Sequence, residues 1–444
     1  MNKSNRRSGF LFGAPAAWLT LLGVGLAAPL AITAQPRYSV TDLGPAGSPF
    51  GAGNFVNNNG AVAISALDGS FTSHAYLWRD GQLTDIGKGG LGGPNIGAGI
   101  LNESGQVIGG AETAQPDPNS ENFCAYGTGL QCVAVVWQNG VVRALPSLGG
   151  TNSGWGSNNN RGEVAGYAET LVRDPECPSR PALNGTGPQV LDYQAVIWGP
   201  RPGQVRQLSP LSGDTVALAL WINDIGQAVG VSGRCSNTIL PGFTAGPHAV
   251  LWEADGTVRD LGSFGGTTNP GILAVGNAAL AINNRGQVIG TSALPGSLVN
   301  QPFIWTSEDG IRHIPLLPGD VVGAGISLNN QGQVVGASIS AGGPATGNPR
   351  AYLWEDGVSY DLNDLATSSS SIYMLTALGI NDVGEIVGFG VVTSGPDAGE
   401  VHPFLATPCG GAGVSCHGET FRREAPALTD HARQVLLRFG FGRR

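Results

Sequence analysis

Short apolar runs, each ended by a polar turn that carries glycine, recur along almost the whole chain. The turn is clearest at Ile282-Asn283-Asn284-Arg285-Gly286-Gln287-Val288. An Asn stands three residues before a Gly in seven such places: Asn57, Asn102, Asn159, Asn223, Asn283, Asn329 and Asn381 lead to Gly60, Gly105, Gly162, Gly226, Gly286, Gly332 and Gly384. An Asn side chain bonds backbone two residues on, and Gly takes the positive φ that completes a turn, so the pattern predicts a hairpin bend. A short apolar strand follows each turn, as in Val107-Ile108-Gly109. After a variable insert comes another that ends in Trp78, Trp137, Trp198, Trp252, Trp305 or Trp354. Asp80-Gly81, Asn139-Gly140, Asp255-Gly256 and Asp356-Gly357 then predict two-residue hairpins, because both positions tolerate positive φ. A strand of the type Val258-Arg259-Asp260-Leu261-Gly262 follows, and one more leads into the next Asn turn.

Four short antiparallel strands per unit, with successive turn glycines 45 to 64 residues apart, predict propeller blades. The seventh unit has Ala406 in place of Trp and runs into Thr407-Pro408-Cys409 without a last strand. A strand of the missing type, Tyr38-Ser39-Val40-Thr41-Asp42-Leu43-Gly44, stands alone before the first unit. Laid on the seventh unit it closes a ring and removes the edge that an open array would expose. The expectation is an all-β fold: a seven-bladed β-propeller of four-stranded blades over 38–408, with the N-terminal strand completing the last blade. The Asn turns then lie at one end of the blades, and the long inserts 111–132, 167–193 and 231–248 crowd the other.

The Asn-Asn-x-Gly-Gln-Val-x-Gly segment, the His-Ala-Phe-like strand with its Trp and the Thr-Asp-Leu-Gly strand together resemble the HAF family of extracellular repeats, from about Tyr38 to Ala406. The triplet is nearest at His74-Ala75-Tyr76, His248-Ala249-Val250 and His402-Pro403-Phe404, while Gln194, Gln301 and Arg350 replace its His elsewhere. The resemblance implies secretion and a repeat-built binding scaffold, and it carries over no reaction.

Composition sharpens this picture. Of 444 residues 41% are hydrophobic and 12% charged, enough apolar content for a large core. Lys3, Arg6 and Arg7 precede an apolar run from Ala14 to about Ile32 that ends in Thr33-Ala34-Gln35, the pattern of an export signal over 1–34. Its removal leaves 20 basic against 32 acidic residues, a formal charge of -12 in place of -9. That balance argues against nucleic acid or an anionic bilayer as partner. No later stretch is apolar and long enough to span a membrane. A secreted, periplasmic or cell-surface monomer is expected. Its six cysteines, Cys124, Cys132, Cys177, Cys235, Cys409 and Cys416, suit disulfides better than zinc, since none has C-x-x-C spacing. Six cysteines allow fifteen pairings; proximity favours Cys124–Cys132 and Cys409–Cys416, leaving Cys177–Cys235. In the basic tail 409–444, Ala432, Val435, Leu436 and Phe439 fall at helical spacing after a cap at Thr429 or Asp430.

Candidate chemistry is sparse. No cofactor is expected. The repeated Asn read as turn formers; calcium at isolated turns is the alternative, although most copies lack a second carboxylate. The strand-end Trp and the repeat-position His read as packing. Trp155 and Trp221 replace small residues such as Gly53 and Ala98 on strands that line the channel, either as a stacking platform for a sugar or as filling between blades. The inserts carry Glu112, Asp117, Glu121, Glu169, Arg173, Asp174, Glu176, Arg180 and Asp192, and loops on a rigid scaffold are where function concentrates. No nucleophile elbow, phosphate loop or dinucleotide fingerprint occurs in proper context. Two functions follow from different classes: a scaffold that binds an extracellular or envelope protein or glycan, or a secreted carbohydrate-active hydrolase or lyase with carboxylates at the channel mouth.

Overall fold

The apolar runs become strands and the glycine turns join them. The computed structural model describes residues 36–44, 50–88, 90–124, 126–177, 189–238, 245–269, 275–340, 349–367, 370–410, 425–429 and 432–433. The expected signal 1–34 and most of the tail after 410, Cys416 included, lie outside them.

Strands come in consecutive antiparallel groups of four. Gly92–Leu101, Val107–Pro116, Leu130–Gln138 and Val141–Ala144 form one sheet, and Ser153–Asn158, Val164–Arg173, Leu191–Trp198 and Val205–Leu208 the next. The strands within 216–260, 278–313 and 320–361 form three more. An eight-stranded sheet holds the rest. One half is Phe50–Val56, Val62–Leu67, Ser73–Arg79 and Gln82–Asp85; the other is Ile372–Ile380, Ile386–Val392, Val401–Pro408 and, completing it, Tyr38–Asp42. The halves meet at one parallel pairing of Phe50 with Val401. Tyr38–Asp42 runs antiparallel to Val401–Pro408, from Tyr38 opposite Pro408 to Asp42 opposite Phe404. The Tyr38 side chain is buried among Leu362, Leu365 and Ala366.

Every turn Asn is buried. The Asn283 Oδ1 accepts the N–H of Arg285 (3.0 Å) and of Gln287 (3.0 Å), which folds the turn. Its Nδ2 donates to the carbonyl of Asn329 in the next unit at 3.0 Å. The same bond runs from Asn57 to Asn102, Asn102 to Asn159, Asn159 to Asn223, Asn223 to Asn283 and Asn329 to Asn381. Asn381 then donates to Asn57 O at 3.0 Å, so the series returns to its start. The following residues form a second circuit, in which the N–H of each donates to the next side chain. Asn58 donates to Glu103, Glu103 to Asn160, Asn160 to Asp224, Asp224 to Asn284, Asn284 to Asn330, Asn330 to Asp382, and Asp382 back to Asn58.

Asp80-Gly81, Asn139-Gly140 and Asp356-Gly357 make the expected tight hairpins, with positive φ at both positions. Asp255-Gly256 does not. Only Gly256 has positive φ there, and Glu253 N–H donates to Thr257 O, so three residues form the loop. Ala254 before the pair supplies the extra residue, which the dipeptide alone does not reveal. Strand-end indoles tie neighbouring units together: Trp198 Nε1 donates to Pro146 O (2.9 Å) and Trp252 Nε1 to Ser209 O (2.7 Å).

Of the repeat-position His, His248 and His402 have a partner in the Asp of the outer strand, while His74 turns to Asp68 in the loop before its own strand at 3.2 Å. His248 Nδ1 lies 3.0 Å from Asp260, Arg350 in the equivalent place 3.1 Å from Asp361, and His402 Nδ1 2.9 Å from Asp42. Gln301 and His313 exchange the roles at 2.7 Å. His402 is buried, which opposes its charge, yet its bonds to Asp42 and Glu400 prevail and raise its pKa. Asp42 is lowered: burial opposes this, but the bonds from His402 and the Gly44 N–H win. The His402 contribution is therefore complete below about 6.5 and lost as pH rises through the raised value, while that of Asp42 is complete above about 3.9 and lost as pH falls through the lowered one. His402→Gln is expected to cost about 2 kcal/mol near pH 5.5, in the range of a charged hydrogen bond, and clearly less near pH 9. Urea denaturation at both pH values measures the difference; equal losses at both would refute it.

Candidate functional site

The second and third units carry the longest second strands, ten residues each in Val107–Pro116 and Val164–Arg173. Both run to the end opposite the Asn turns, where Pro116 still pairs with Leu130 and Arg173 with Leu191, because antiparallel order places that end of the second strand away from the turns. Their distal residues are exposed, with Leu171 at 77% and Val172 at 59%. Cys124–Cys132 closes the second-unit insert, and Cys177–Cys235 joins the third unit to the fourth. Cys409 is disulfide-bonded as well.

Beneath these tips lie carboxylates that do not face solvent. Glu112 is buried and accepts from Asn95 Nδ2 (2.6 Å) and from the Thr128 hydroxyl. Asp117 is buried, and its Oδ1 accepts the N–H of Asn119 (2.8 Å) and of Glu121 (3.1 Å). Its Oδ2 accepts from Asn152 Nδ2 at 2.8 Å, and that same nitrogen donates to Glu169 Oε2 at 3.0 Å. Asn152 is fixed in this orientation because its Oδ1 accepts the N–H of Cys132 at 2.9 Å. Glu169 Oε2 also accepts the Asn152 N–H (2.9 Å), and Glu121 Oε1 the N–H groups of Val190 (2.6 Å) and Leu191 (2.8 Å). Phe123 packs on Tyr167 with ring centroids 5.5 Å apart, an apolar contact beside the polar one.

Burial raises the Glu121 and Glu169 pKa values, and for Glu169 the charge of Glu121 adds to it. Burial and the charge of Asp174 push Asp192 up to about 6, against its bond from Gln194. Arg173 is exposed and donates to Asn119 Oδ1 at 2.8 Å, and Asp174 accepts the Glu176 N–H at 2.7 Å. Glu176 pairs with Arg234 at 2.6 Å. Arg180 lies outside the described residues. Among the described residues one group of three possible metal ligands comes together, Asp174 with Cys177 and Cys235, and both sulfurs are spent in the disulfide. The site thus joins Glu112, Asp117 and Glu169 to backbone and amide donors, and leaves Arg173 and the aliphatic pair exposed. The polar residues Thr151, Asn152 and Gln189 were not legible as part of it, since a lone Thr, Asn or Gln in a loop carries no motif.

Trp155 and Trp221 are not equivalent: Gly53 and Ala98 match the place of Trp155, whereas at the place of Trp221 the last three units carry Ala281, Ser327 and Gly379. Trp155 lies four residues before its turn Asn and pairs with Gly166, whereas Trp221 lies two before and pairs with Val229. The counterpart of Trp221 in the first unit is Phe55, and the two rings meet edge to face at 5.6 Å and 60°. A Cβ on Gly99 would run into the Trp155 ring, which explains a glycine there. Both indoles are part-buried against apolar clusters between units. Among the described residues no ring contact joins them to each other. A cavity of about 320 Å³ opens farther round the same end, lined by His74, Asp85, Lys88 and Asn95 among others.

No protein-family model and no curated protein matches the chain. Among solved structures it is similar to YCF48 bound to D1 peptide, at 10% identity over 86% of this chain and 99% of that one, with a TM-score of 0.43. It is also similar to the polysaccharide lyase Uly1, at 9% identity over 80% and 90% of the two chains and a TM-score of 0.38. A third is AofleA from Arthrobotrys oligospora, at 8% identity over 87% and 88%, with a TM-score of 0.31.

Proposed function

We propose that the chain is an exported HAF-type repeat protein folded as a closed seven-bladed β-propeller. We further infer that it is a scaffold which binds an extracellular or envelope protein or glycan through the rim of its second to fourth blades. Closure is supported by the seven Asn bonds that return from Asn381 to Asn57, and by the pairing of Tyr38–Asp42 with Val401–Pro408. Export is supported by disulfides, which persist in oxidising compartments.

The observation that carries the binding assignment is an exposed aliphatic pair, Leu171 and Val172, on a strand whose base is locked by Glu169 and whose end is followed by the Cys177–Cys235 bridge. Covering such side chains is worth roughly 1.5–3 kcal/mol each. A base already rigid has little ordering entropy left to lose on association. A glycoside hydrolase needs two carboxylates open to a sugar at a working separation. Glu112, Asp117, Glu121 and Glu169 are instead buried under protein donors, so this group lends that reading no support.

The mature chain, immobilised and offered glycan arrays and fractionated envelope proteins, is expected to retain a partner. Leu171→Ser with Val172→Ser is expected to weaken retention at least about tenfold while the unfolding midpoint stays put, as exposed substitutions usually leave it. Undiminished retention by the double variant, or polysaccharide turnover lost with one rim carboxylate, would overturn the assignment.

A further inference from the structure

Glu121 belongs to the insert of the second unit and Glu169 to a strand of the third, and both are 0% exposed. Two anions so placed demand a cation or a proton. The hydrogen-bond partners of both, among the described residues, are backbone N–H groups, Asn119, Thr151, Asn152 and Gln189, none of them a cation. Among the described residues Arg173 donates to Asn119, which stands between it and Glu121 Oε2. Asp117, which shares Asn152 and Thr151 with Glu169, adds negative charge, and Glu112 is engaged with Asn95 and Thr128. Asp192 and Asp174, near the third-unit strand ends, are acids too.

The donors also fall short. Gln189 Nε2 has two hydrogens and three acceptors within reach: Glu121 Oε1 at 3.1 Å, Glu169 Oε1 at 3.2 Å and Leu191 O at 2.9 Å. Gln189 is the donor to Glu169 Oε1, so when both its hydrogens go elsewhere that oxygen faces a second carboxylate with no hydrogen between them. Two carboxylates that converge on one amide nitrogen, within hydrogen-bond reach of each other, share a proton, as like charges there cannot both ionise.

We propose that Glu121 and Glu169 form a proton-held clasp that fixes the insert 117–124 to the neighbouring unit, closed while the pair holds one proton and loosened when that proton is lost to solvent base. The O–H of one carboxyl donates to the other in the closed form. On its removal two adjacent anions remain, and the Val190 and Leu191 N–H groups lose their acceptor as Glu121 moves out. Phe123 on Tyr167 and the Cys124–Cys132 bridge limit that movement to the insert. The direction agrees with the acid shifts: burial, with the charge of Glu121 second, pushes Glu169 up to about 8. A carboxyl raised in the folded state stabilises fully below its ordinary value, and the contribution is lost as pH rises through the folded one. The clasp is thus closed in acid and neutral solution and loosens above about 8, whatever the rim binds.

Amide hydrogen exchange of the mature chain tests this, after correction for the base catalysis of intrinsic exchange. Protection of Val190 and Leu191 is expected to fall at least about tenfold from pH 6.5 to pH 9.5, while Asn283, whose N–H is held by Gln287 O, keeps its own. Glu169→Gln places an amide where the protonated acid stood, so it should keep Val190 and Leu191 protected at both pH values. Equal protection of wild type at the two pH values would overturn the clasp, and so would a fall that Glu169→Gln leaves unchanged. Should Glu169→Gln not fold, the wild-type comparison still decides: a fall shared by Asn283 counts against the clasp, and one confined to Val190 and Leu191 supports it.

Discussion

A chain shortened by residues 36–44 is expected to lose its single cooperative unfolding transition and to associate through the uncovered strand Val401–Pro408. The segment contributes pairings from Tyr38 with Pro408 to Asp42 with Phe404, the bond from Leu43 N–H to Pro403 O at 3.0 Å, and the buried ring of Tyr38. It also covers the last edge, whose free N–H and C=O groups would otherwise recruit another chain. The single change Tyr38→Ala should cost about 3–5 kcal/mol, as for other large aromatic truncations in a core. Urea denaturation with light scattering reports both effects. A shortened chain that stays monomeric with an unchanged midpoint would refute the role given to this strand. Restoration by an added 36–44 peptide would support it.

Asn283→Ala should cost about 3 kcal/mol, since it leaves two N–H groups and the Asn329 carbonyl without their partner, and unmade buried bonds cost 1–3 kcal/mol each with partial relief by water. The sharper comparison is Asn283→Asp. It keeps the acceptor for Arg285 and Gln287 but turns an anion toward Asn329 O and Gln287 Oε1, where Nδ2 donated. Its folded pKa is then raised, so stability is nearest wild type below about 3.9 and declines as pH rises through the folded value. Thermal melts from pH 4 to pH 8 should separate Asp from Ala by this slope. Parallel curves would mean that the Nδ2 bond is not the one that matters.

What the sequence made legible was whatever repeats. The turn Asn with its Gly, the strand-end Trp and the displaced Tyr38-to-Gly44 strand all recur at fixed phase, and a recurring residue announces a recurring environment. The partners of those residues were less visible. That Asn57 donates to Asn102 depends on how units stand side by side, and that His402 meets Asp42 on which strand completes the last unit, while His313 with Gln301 shows the same contact written in reverse. The rim was harder still. Glu121 and Glu169 looked like surface acids of polar loops; only the fold shows that the neighbouring unit covers them. Trp221 misled for a simpler reason: it lies two residues before its turn Asn, whereas Gly53, Ala98 and Trp155 lie four before theirs, so grouping them by strand alone pairs the wrong residues.

The seam has a mechanical consequence. Tyr38 lies opposite Pro408, and Cys409 N–H still donates to Arg37 O at 2.8 Å, so the chain enters and leaves side by side at one end of the same strand pair. Tension between an anchor before residue 36 and one after residue 410 therefore loads this pair as a zipper. Its bonds are stressed one after another and not all at once, as they would be in shear. The other six units are spared until the seam has opened, so a pull on the two ends would peel the last unit first.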